Sequence, residues 1–95
     1  MKVYFVVCAK MKDTVEYKKY LEKCDEVFAK YNGRYLAVDE NFKVIEGKND
    51  SSRIILIEFE SESDFNEWYN SKEYQGIVGY RLDGSDCNSV LVHGK

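Results

Sequence analysis

Glu58 is the carboxylate whose position in the sequence best suits proton transfer. It follows the apolar run of residues 54–57 and, because side chains alternate along a strand, it shares a face with Ile54 and Leu56. A carboxylate in such surroundings must be paired with a cation, or it takes up a proton and can act as a general acid or base. The competing interpretation, which the sequence favours, is a structural ion pair. Its candidate partners are Arg34, Arg53 and Arg81.

Arg81 is the corresponding candidate for binding an anion. A guanidinium beside a pocket can hold a carboxylate through two parallel hydrogen bonds, although a surface or intersubunit salt bridge is the commoner use of such an arginine. Trp68, Tyr69 and Tyr74 supply aromatic walls with polar tips, as small-molecule pockets often do. Core packing alone also explains Trp68, whereas the two tyrosine hydroxyl groups need partners if they are buried.

Two further residues are weaker candidates for a functional role. Glu46 stands beside Gly47, and we interpret it as a charge at the edge of a hairpin. His93 is the only histidine, so it has no second imidazole with which to share a metal ion. We interpret it as a partly exposed residue at a strand end, and a haem-handling role would rest on this residue alone.

The cysteines indicate a compartment more clearly than a reaction. Cys8, Cys24 and Cys87 form an odd set without CxxC or Cys/His spacing, and we interpret them as small apolar residues. Only Cys87 has polar neighbours that suit reactivity. Scattered single thiols are typical of a reducing compartment, so we expect a cytoplasmic protein. The sequence also has no P-loop, GxGxxG, GxSxG or HExxH motif, and we expect no metal and no cofactor.

The charge balance and the apolar runs argue against two classes of partner. The 95 residues carry 14 Lys and Arg against 17 Asp and Glu, a net charge of −3, whereas nucleic-acid binding needs a basic surface. The longest apolar run, Val3 to Ala9, is far shorter than a membrane span, and no secretory leader pattern opens the chain. We therefore expect no nucleic acid and no membrane among the partners, and a single domain over residues 1–95.

The first half of the chain predicts a strand followed by a helix. Residues 3–9 are β-branched and aromatic, and apolar at odd and even positions alike, which predicts a strand buried on both faces. Asp13 with Glu16 three residues later is typical of a helix N-terminus, and Asn32-Gly33 tolerates the left-handed conformation that ends a helix. Between them one apolar stripe has helical spacing: Tyr17, Tyr20, Leu21, Cys24, Val27, Phe28 and Tyr31.

Three more strands are predicted in the rest of the chain. Residues 34–38 form the second strand, which is turned at residues 39–41, where a bulge would bend it, and resumes over residues 42–46. A polar hairpin loop follows. Residues 53–60 then form the third strand, and residues 89–93 form the last one.

A second helical region lies between the last two strands. Ser61 caps its first helix and Ser71 caps a further turn or two, whereas Gly79 and Gly84 mark a loose connection before the final strand. The order is therefore β-α-β-β-α-β. This is the ferredoxin-like arrangement of the α+β class, a four-stranded antiparallel sheet with both helices on one face.

The other face of this sheet would be bare within one subunit. Val3–Ala9 and Ile54–Ile57 offer it several large apolar side chains, each worth about 1.5–3 kcal/mol when buried. Antiparallel sheets that face water alternate apolar and polar residues, and these strands do not. Because no third helix is predicted to cover it, we expect a homodimer in which two copies pack through this open sheet face.

Several short motifs are spread over nearly the whole chain: Tyr17-Lys18-Lys19-Tyr20, Tyr31-Asn32-Gly33-Arg34, Glu46-Gly47, Arg53 to Ser61, Trp68-Tyr69-Asn70-Ser71, Glu73-Tyr74-Gln75 and Arg81. In this order they resemble the DUF1330 family. The resemblance implies a dimeric α+β barrel of ferredoxin-like subunits, each with a cleft between helices and sheet. It implies no particular reaction, because proteins of similar fold include cofactor-free monooxygenases, haem-handling enzymes and lactone isomerases.

Two functions are compatible with these residues. In the first, a small cytosolic homodimer binds a small organic molecule, anionic or aromatic, in the cleft and acts on it without a metal. Glu58 would transfer the proton, Arg81 would hold the anion, and Trp68, Tyr69 and Tyr74 would form the walls. In the second, the protein is a non-catalytic ligand-binding or assembly module whose arginines and carboxylates serve the dimer interface.

Overall fold

The computed structural model describes residues 1–95 as a four-stranded antiparallel sheet in the order β2-β3-β1-β4, with helices on one face. The strands are β1 (Val3–Met11), β2 (Gly33–Asp39), β3 (Arg53–Phe59) and β4 (Ser85–His93). The helices are α1 (Thr14–Phe28), α2 (Glu62–Tyr69), α3 (Lys72–Gln75) and α4 (Val78–Gly84). This architecture confirms the predicted α+β, ferredoxin-like arrangement. None of the helices has both the length and the apolar composition required to cross a bilayer.

The pairing of β1 with β3 and β4 gives the sheet two different faces. Val3 of β1 lies opposite Phe59 and His93, and the register continues without a break to the end of the shared strands. The helix-covered face carries Phe5, Val7, Ile55, Ile57 and Phe59, all of them buried. The open face carries Tyr4, Val6, Cys8, Ile54, Leu56, Val90 and Val92, which remain partly or largely exposed within one subunit.

α1 begins as predicted and buries the predicted stripe. One carboxylate oxygen of Asp13 accepts hydrogen bonds from the backbone N–H groups of Val15 and Glu16, at 3.1 and 3.2 Å. The stripe residues buried against the sheet are Tyr17, Tyr20, Cys24, Val27 and Phe28.

The end of α1 differs from the prediction. The helix stops at Phe28, and Gly33 does not adopt the predicted left-handed conformation, since Gly47 is the only residue with a positive φ. A Cβ atom at Gly33 would lie 2.6 Å from ring atoms of Phe28 and Phe59. Glycine is therefore required here by the space between two aromatic rings and not by the backbone conformation.

The strand predicted over residues 42–46 does not form within the subunit. β2 ends at Asp39, whose carboxylate accepts a hydrogen bond from the Asn41 N–H at 2.7 Å and turns the chain. Asp39 already pairs with Ile54, and only Arg53 of β3 lies beyond that pair, so the neighbouring strand is too short to pair with a continuation of β2. The bulge lies inside β2, between Tyr35 and Ala37.

The segment before β4 forms a helix, α4, where the sequence predicted a loose connection. The carbonyl oxygen of Gly84 accepts hydrogen bonds from the N–H groups of Lys12 and Asp13, at 3.0 and 2.9 Å. A Cβ atom at Gly84 would lie only 2.6 Å from the backbone nitrogen of Tyr17. Glycine thus allows α4 to lie directly against α1, and this contact fixes the position of Arg81.

Two glycine substitutions in α4 test this contact. Gly84→Ala is expected to lower the free energy of unfolding by about 1–3 kcal/mol, because the added methyl group would push the α1 backbone away. Gly79→Ala is the matched control, and an added Cβ there meets no atom within 4 Å. It is expected to raise the free energy of unfolding by about 0.5–1 kcal/mol. Urea unfolding at equal protein concentrations measures both, and equal stability of the two variants would contradict the close packing.

Candidate ligand-binding cavity

A cavity of about 400 Å³ lies between α1 and the helix-covered face of the sheet, and α2 to α4 each contribute to its walls or surroundings. Of the 15 lining residues, 12 are apolar or aromatic, and the charged ones are Asp25, Arg53 and Arg81. The volume lies within the range of natural small-molecule sites, which combine apolar walls with a few polar groups. The cavity is therefore the candidate functional site.

Arg81 is the most deeply buried charge in the cavity lining, with 3% of its surface exposed. Its guanidinium carbon lies 5.9 Å from the centre of the Tyr20 ring and 6.0 Å from that of Phe5. Nε and Nη1 are buried without a hydrogen-bond partner, and the ion pairs formed by arginine involve only Arg34 and Arg53. A buried charge without a counter-charge is strongly unfavourable, so this guanidinium is suited to receive an anion.

The hydroxyl groups of Tyr20 and Tyr74 form a hydrogen-bonded pair at 2.8 Å in the same cavity. Burial raises the pKa of both tyrosines, so both hydroxyl groups keep their protons at neutral pH. One of the two hydroxyl hydrogens lies in the bond between the tyrosines, so the hydrogen of the other hydroxyl group is free to be donated to a ligand.

Trp68 and Arg53 add two more hydrogen-bond donors. Trp68 is 1% exposed, its ring centre lies 4.1 Å from that of Tyr74, and its indole N–H has no partner. Arg53 faces the cavity because it lies on the same side of β3 as Ile55. Its Nη1 lies 3.5 Å from a carboxylate oxygen of Glu40, whereas its Nε is buried without a partner. All the buried polar side-chain atoms that lack a partner are thus N–H donors of residues lining this cavity.

Cys24 and Asp25 line the α1 side of the cavity. The Cys24 thiol lies 3.7 Å from a carboxylate oxygen of Asp25 and 3.8 Å from the Leu21 carbonyl oxygen. Burial, with a further contribution from Asp25, raises the pKa of Cys24 to about 11. The thiol is therefore neutral at physiological pH and is not activated as a nucleophile.

Residues 2–95 match the family described as domain of unknown function (DUF1330). The chain belongs to the DUF1330 family. This confirms the resemblance carried by its short motifs, from the Tyr17 segment to Arg81. No protein of curated function matches the sequence at a significant level.

Solved structures share the fold of this DUF1330 chain at low sequence identity. A protein of unknown function from Rhodopseudomonas palustris has a TM-score of 0.80 at 14% identity, over 99% of this chain and 82% of that chain. A dimeric ferredoxin-like protein of unknown function from Jannaschia sp. CCS1 has a TM-score of 0.77 at 9% identity, over 99% and 100%. SnoaB, a cofactor-independent oxygenase from Streptomyces nogalater, has a TM-score of 0.71 at 13% identity, over 99% and 93%. At these identities the likeness shows the fold alone.

The structure brings Arg81, Trp68 and Tyr74 together in the cavity but places Glu58 elsewhere. Glu58 pairs with Arg34 across β2 and β3 and so belongs to the open face of the sheet. It accepts a hydrogen bond from Arg34 at 2.8 Å and lies 3.7 Å from the amino group of Lys2. The structure does not bring Glu58 and Arg81 into one cleft, because the alternation along β3 turns the carboxylate away from the helices. The structural ion pair is the arrangement observed.

The other predicted residues also lie outside the cavity lining. Tyr69 is half-buried and stacks on Phe65, with ring centres 5.4 Å apart, so it supports the core behind Trp68. Glu46 is exposed in the loop after β2. His93 lies at the end of β4, where its Nε2 is 2.8 Å from a carboxylate oxygen of Glu62.

Sequence reasoning missed Arg53 as a cavity residue and did not single out Tyr20. From the sequence, Arg53 is named only as a candidate partner of Glu58, although its odd-numbered position in β3 places it with Ile55 and Ile57 on the opposite face. That alternation was available from the sequence. Tyr20 belongs to the predicted buried stripe of α1, of which part of a tyrosine ring could also line a cavity, but no signal in the sequence shows which ring does so.

The neutral state of Cys24 predicts its reactivity. Alkylation of Cys24 by iodoacetamide should be slow near pH 8 and should accelerate about tenfold per pH unit up to about pH 10, because the thiolate is the reactive species. Peptide mass spectrometry of the folded protein measures the rate, and circular dichroism checks that the fold persists at each pH. Modification of Cys24 at the rate of free cysteine near pH 7.5 would contradict the predicted neutral thiol.

Proposed function

We propose that the protein is a cytoplasmic homodimer in which each subunit binds a small organic anion in the cavity between α1 and the sheet. The observation that carries the proposal is the Arg81 guanidinium, buried at the cavity with two N–H groups that have no acceptor. A carboxylate, or a similar planar acid group, presents two oxygens in the geometry that a guanidinium fork requires. The three unpaired thiols, Cys8, Cys24 and Cys87, support a reducing compartment.

The remainder of the cavity supports an apolar or aromatic body for this anion. The ring edges and aliphatic chains of the lining face the space around Arg81, and Trp68 and Tyr74 stand beside one another in it. An indole N–H and a free tyrosine hydroxyl hydrogen add neutral donors for further oxygens of the ligand. Such a site favours a small aromatic acid over a highly charged metabolite, because most of the lining cannot replace the water around several charges.

The proposal is for binding and not for catalysis. Among the lining residues the acidic group is Asp25 alone, and no histidine is present. Proton transfer in the cavity would therefore have to use Asp25 or the Tyr20–Tyr74 pair, and Glu58 would require a substrate on the opposite face of the sheet. The oxygenase activity named for SnoaB belongs to that protein. Product formation from a bound acid would add catalysis to the function without removing the binding site.

Arg81→Met tests the anion site. The variant is expected to bind 2-naphthoate at least about tenfold more weakly than the wild type, because a charge-assisted hydrogen bond contributes about 1.5–3 kcal/mol. In the absence of ligand the same variant should be at least as resistant to thermal unfolding as the wild type, since it removes a buried charge that has no partner. Isothermal titration calorimetry and a thermal unfolding curve measure the two effects.

The controls separate the charge in the cavity from the charge of the whole protein. Lys23→Met removes one positive charge from the exposed side of α1 and should leave binding unchanged. The neutral 2-naphthamide should bind the wild type and Arg81→Met equally weakly. Equal affinity of the wild type and Arg81→Met for 2-naphthoate would reject the anion site, and a large loss of thermal stability in the variant would assign Arg81 to structure instead.

The open face supports the homodimer. Its apolar side chains come from three strands, and Val90 and Val92 of β4 remain 57% and 47% exposed within one subunit. A continuous apolar surface of this kind on a small protein marks an interface, and a second copy supplies a surface of the same shape and chemistry. The Jannaschia protein of the same fold is described as dimeric.

Two substitutions of exposed valines test the interface. Val90→Glu, on the open face, is expected to convert the dimer to a monomer at micromolar concentration, because the interface would bury unpaired carboxylates. Val15→Glu is the matched control, since Val15 is 69% exposed on the outer side of α1. It should leave the dimer intact. Light scattering coupled to size-exclusion chromatography measures the mass, and a monomeric wild type or a dimeric Val90→Glu variant would reject the open face as the interface.

A further inference from the structure

We infer that the ligand of the cavity carries two acidic groups, one bound by Arg81 and the other by Arg53, with an apolar body between them. This inference rests on the proposed function, which requires only the site at Arg81. It is based on a second guanidinium of the cavity lining, whose Nε is also buried without an acceptor.

Arg53 and Arg81 occupy different parts of the cavity wall. Arg53 is the first residue of β3, and its guanidinium carbon lies 6.0 Å from the centre of the Tyr17 ring. Arg81 lies on α4, beside the ring of Tyr20. The two tyrosine rings are neighbours on α1, with centres 5.9 Å apart. Each guanidinium thus lies near a different ring of the pair, and the aromatic surface between them suits the body of a ligand.

Arg53 is the more exposed of the two arginines and lies between two pockets. It lines both the main cavity and a smaller adjoining pocket of about 180 Å³, as do Tyr17 and Leu21. Its side chain is 17% exposed, whereas Arg81 is almost completely buried. Lys18 and Glu40 also line the smaller pocket, one a cation and the other an anion. An acid group of a ligand beside Arg53 would therefore displace the Glu40 carboxylate and would then meet two positive charges.

The present partner of Arg53 does not account for its buried donor. Glu40 belongs to the segment after β2, its side chain is 70% exposed, and its oxygen lies 3.5 Å from Nη1, longer than a good hydrogen bond. An ion pair this exposed contributes little to stability, so an acid group of a ligand can replace it. Asp25, the remaining acidic residue of the lining, forms an ion pair with neither arginine and has its carboxylate beside the Cys24 thiol.

Calorimetric titration with matched acids tests the inference. Two pairs of probes differ in the second carboxylate: benzoate against terephthalate, and 2-naphthoate against 2,6-naphthalenedicarboxylate. In at least one pair the diacid should bind the wild type about tenfold or more tightly than the monoacid. Arg53→Met should remove this advantage, because it should weaken the binding of the diacid far more than that of the monoacid. Arg81→Met should weaken the binding of all four acids.

Glu40→Gln provides a second test that does not alter the arginine. Because it frees Arg53 from its competing carboxylate, it should tighten the binding of the favoured diacid at least about twofold and leave the monoacids unchanged. Equal binding of monoacid and diacid in both pairs, or an equal effect of Arg53→Met on monoacids and diacids, would overturn the inference while the site at Arg81 stands. Absence of binding by all four acids would reject the proposed function and the inference together.

Discussion

The register of β1 between β3 and β4 determines which side chains of the sheet lie beneath the helices and which lie on the open face. Side chains alternate between the two faces of a strand, so a shift of one residue would exchange the buried and the open sets completely. The observed register places Phe5 and Val7 beneath the helices, and Tyr4, Val6 and Cys8 on the open face. The cavity and the proposed interface therefore depend on the same hydrogen bonds, although a sheet separates them.

The helices position the cavity through contacts that are short and specific. Gly84 lets α4 approach the backbone of α1, and the Ser85 hydroxyl group donates a hydrogen bond to the Arg81 carbonyl oxygen at 2.6 Å. Arg81 is thereby held on a short helix that is anchored at its C-terminal end. The rigid backbone explains how a guanidinium can remain buried beside aromatic rings without an acceptor. It keeps an unfavourable arrangement in place, as binding sites commonly do, and the remainder of the core supplies the stability.

Local signals predicted the elements well, and tertiary contacts account for the failures. Asp13, Ser61 and Ser71 cap helices as expected, because capping involves residues only two or three positions apart. Residues 42–46 have the composition of a strand, but β3 begins too late along the chain to pair with them. The helix at residues 78–84 contains two glycines and has no side-chain cap, so packing against α1 stabilises it more than its own sequence does.

The residue types of the candidate site were predictable from the sequence, but their positions depend on tertiary contacts. Arg81, Trp68 and Tyr74 were singled out by type and do lie together, but their meeting depends on α4, which the sequence did not predict. Glu58 and Arg53 could have been assigned to opposite faces, because they stand five positions apart in one strand and alternation decides the face. The separation has a physical consequence for function. A ligand at the arginines of the cavity lies on one side of β3, and the Glu58–Arg34 pair lies on the other side. Binding would therefore influence the proposed interface through the strands that contribute side chains to both faces.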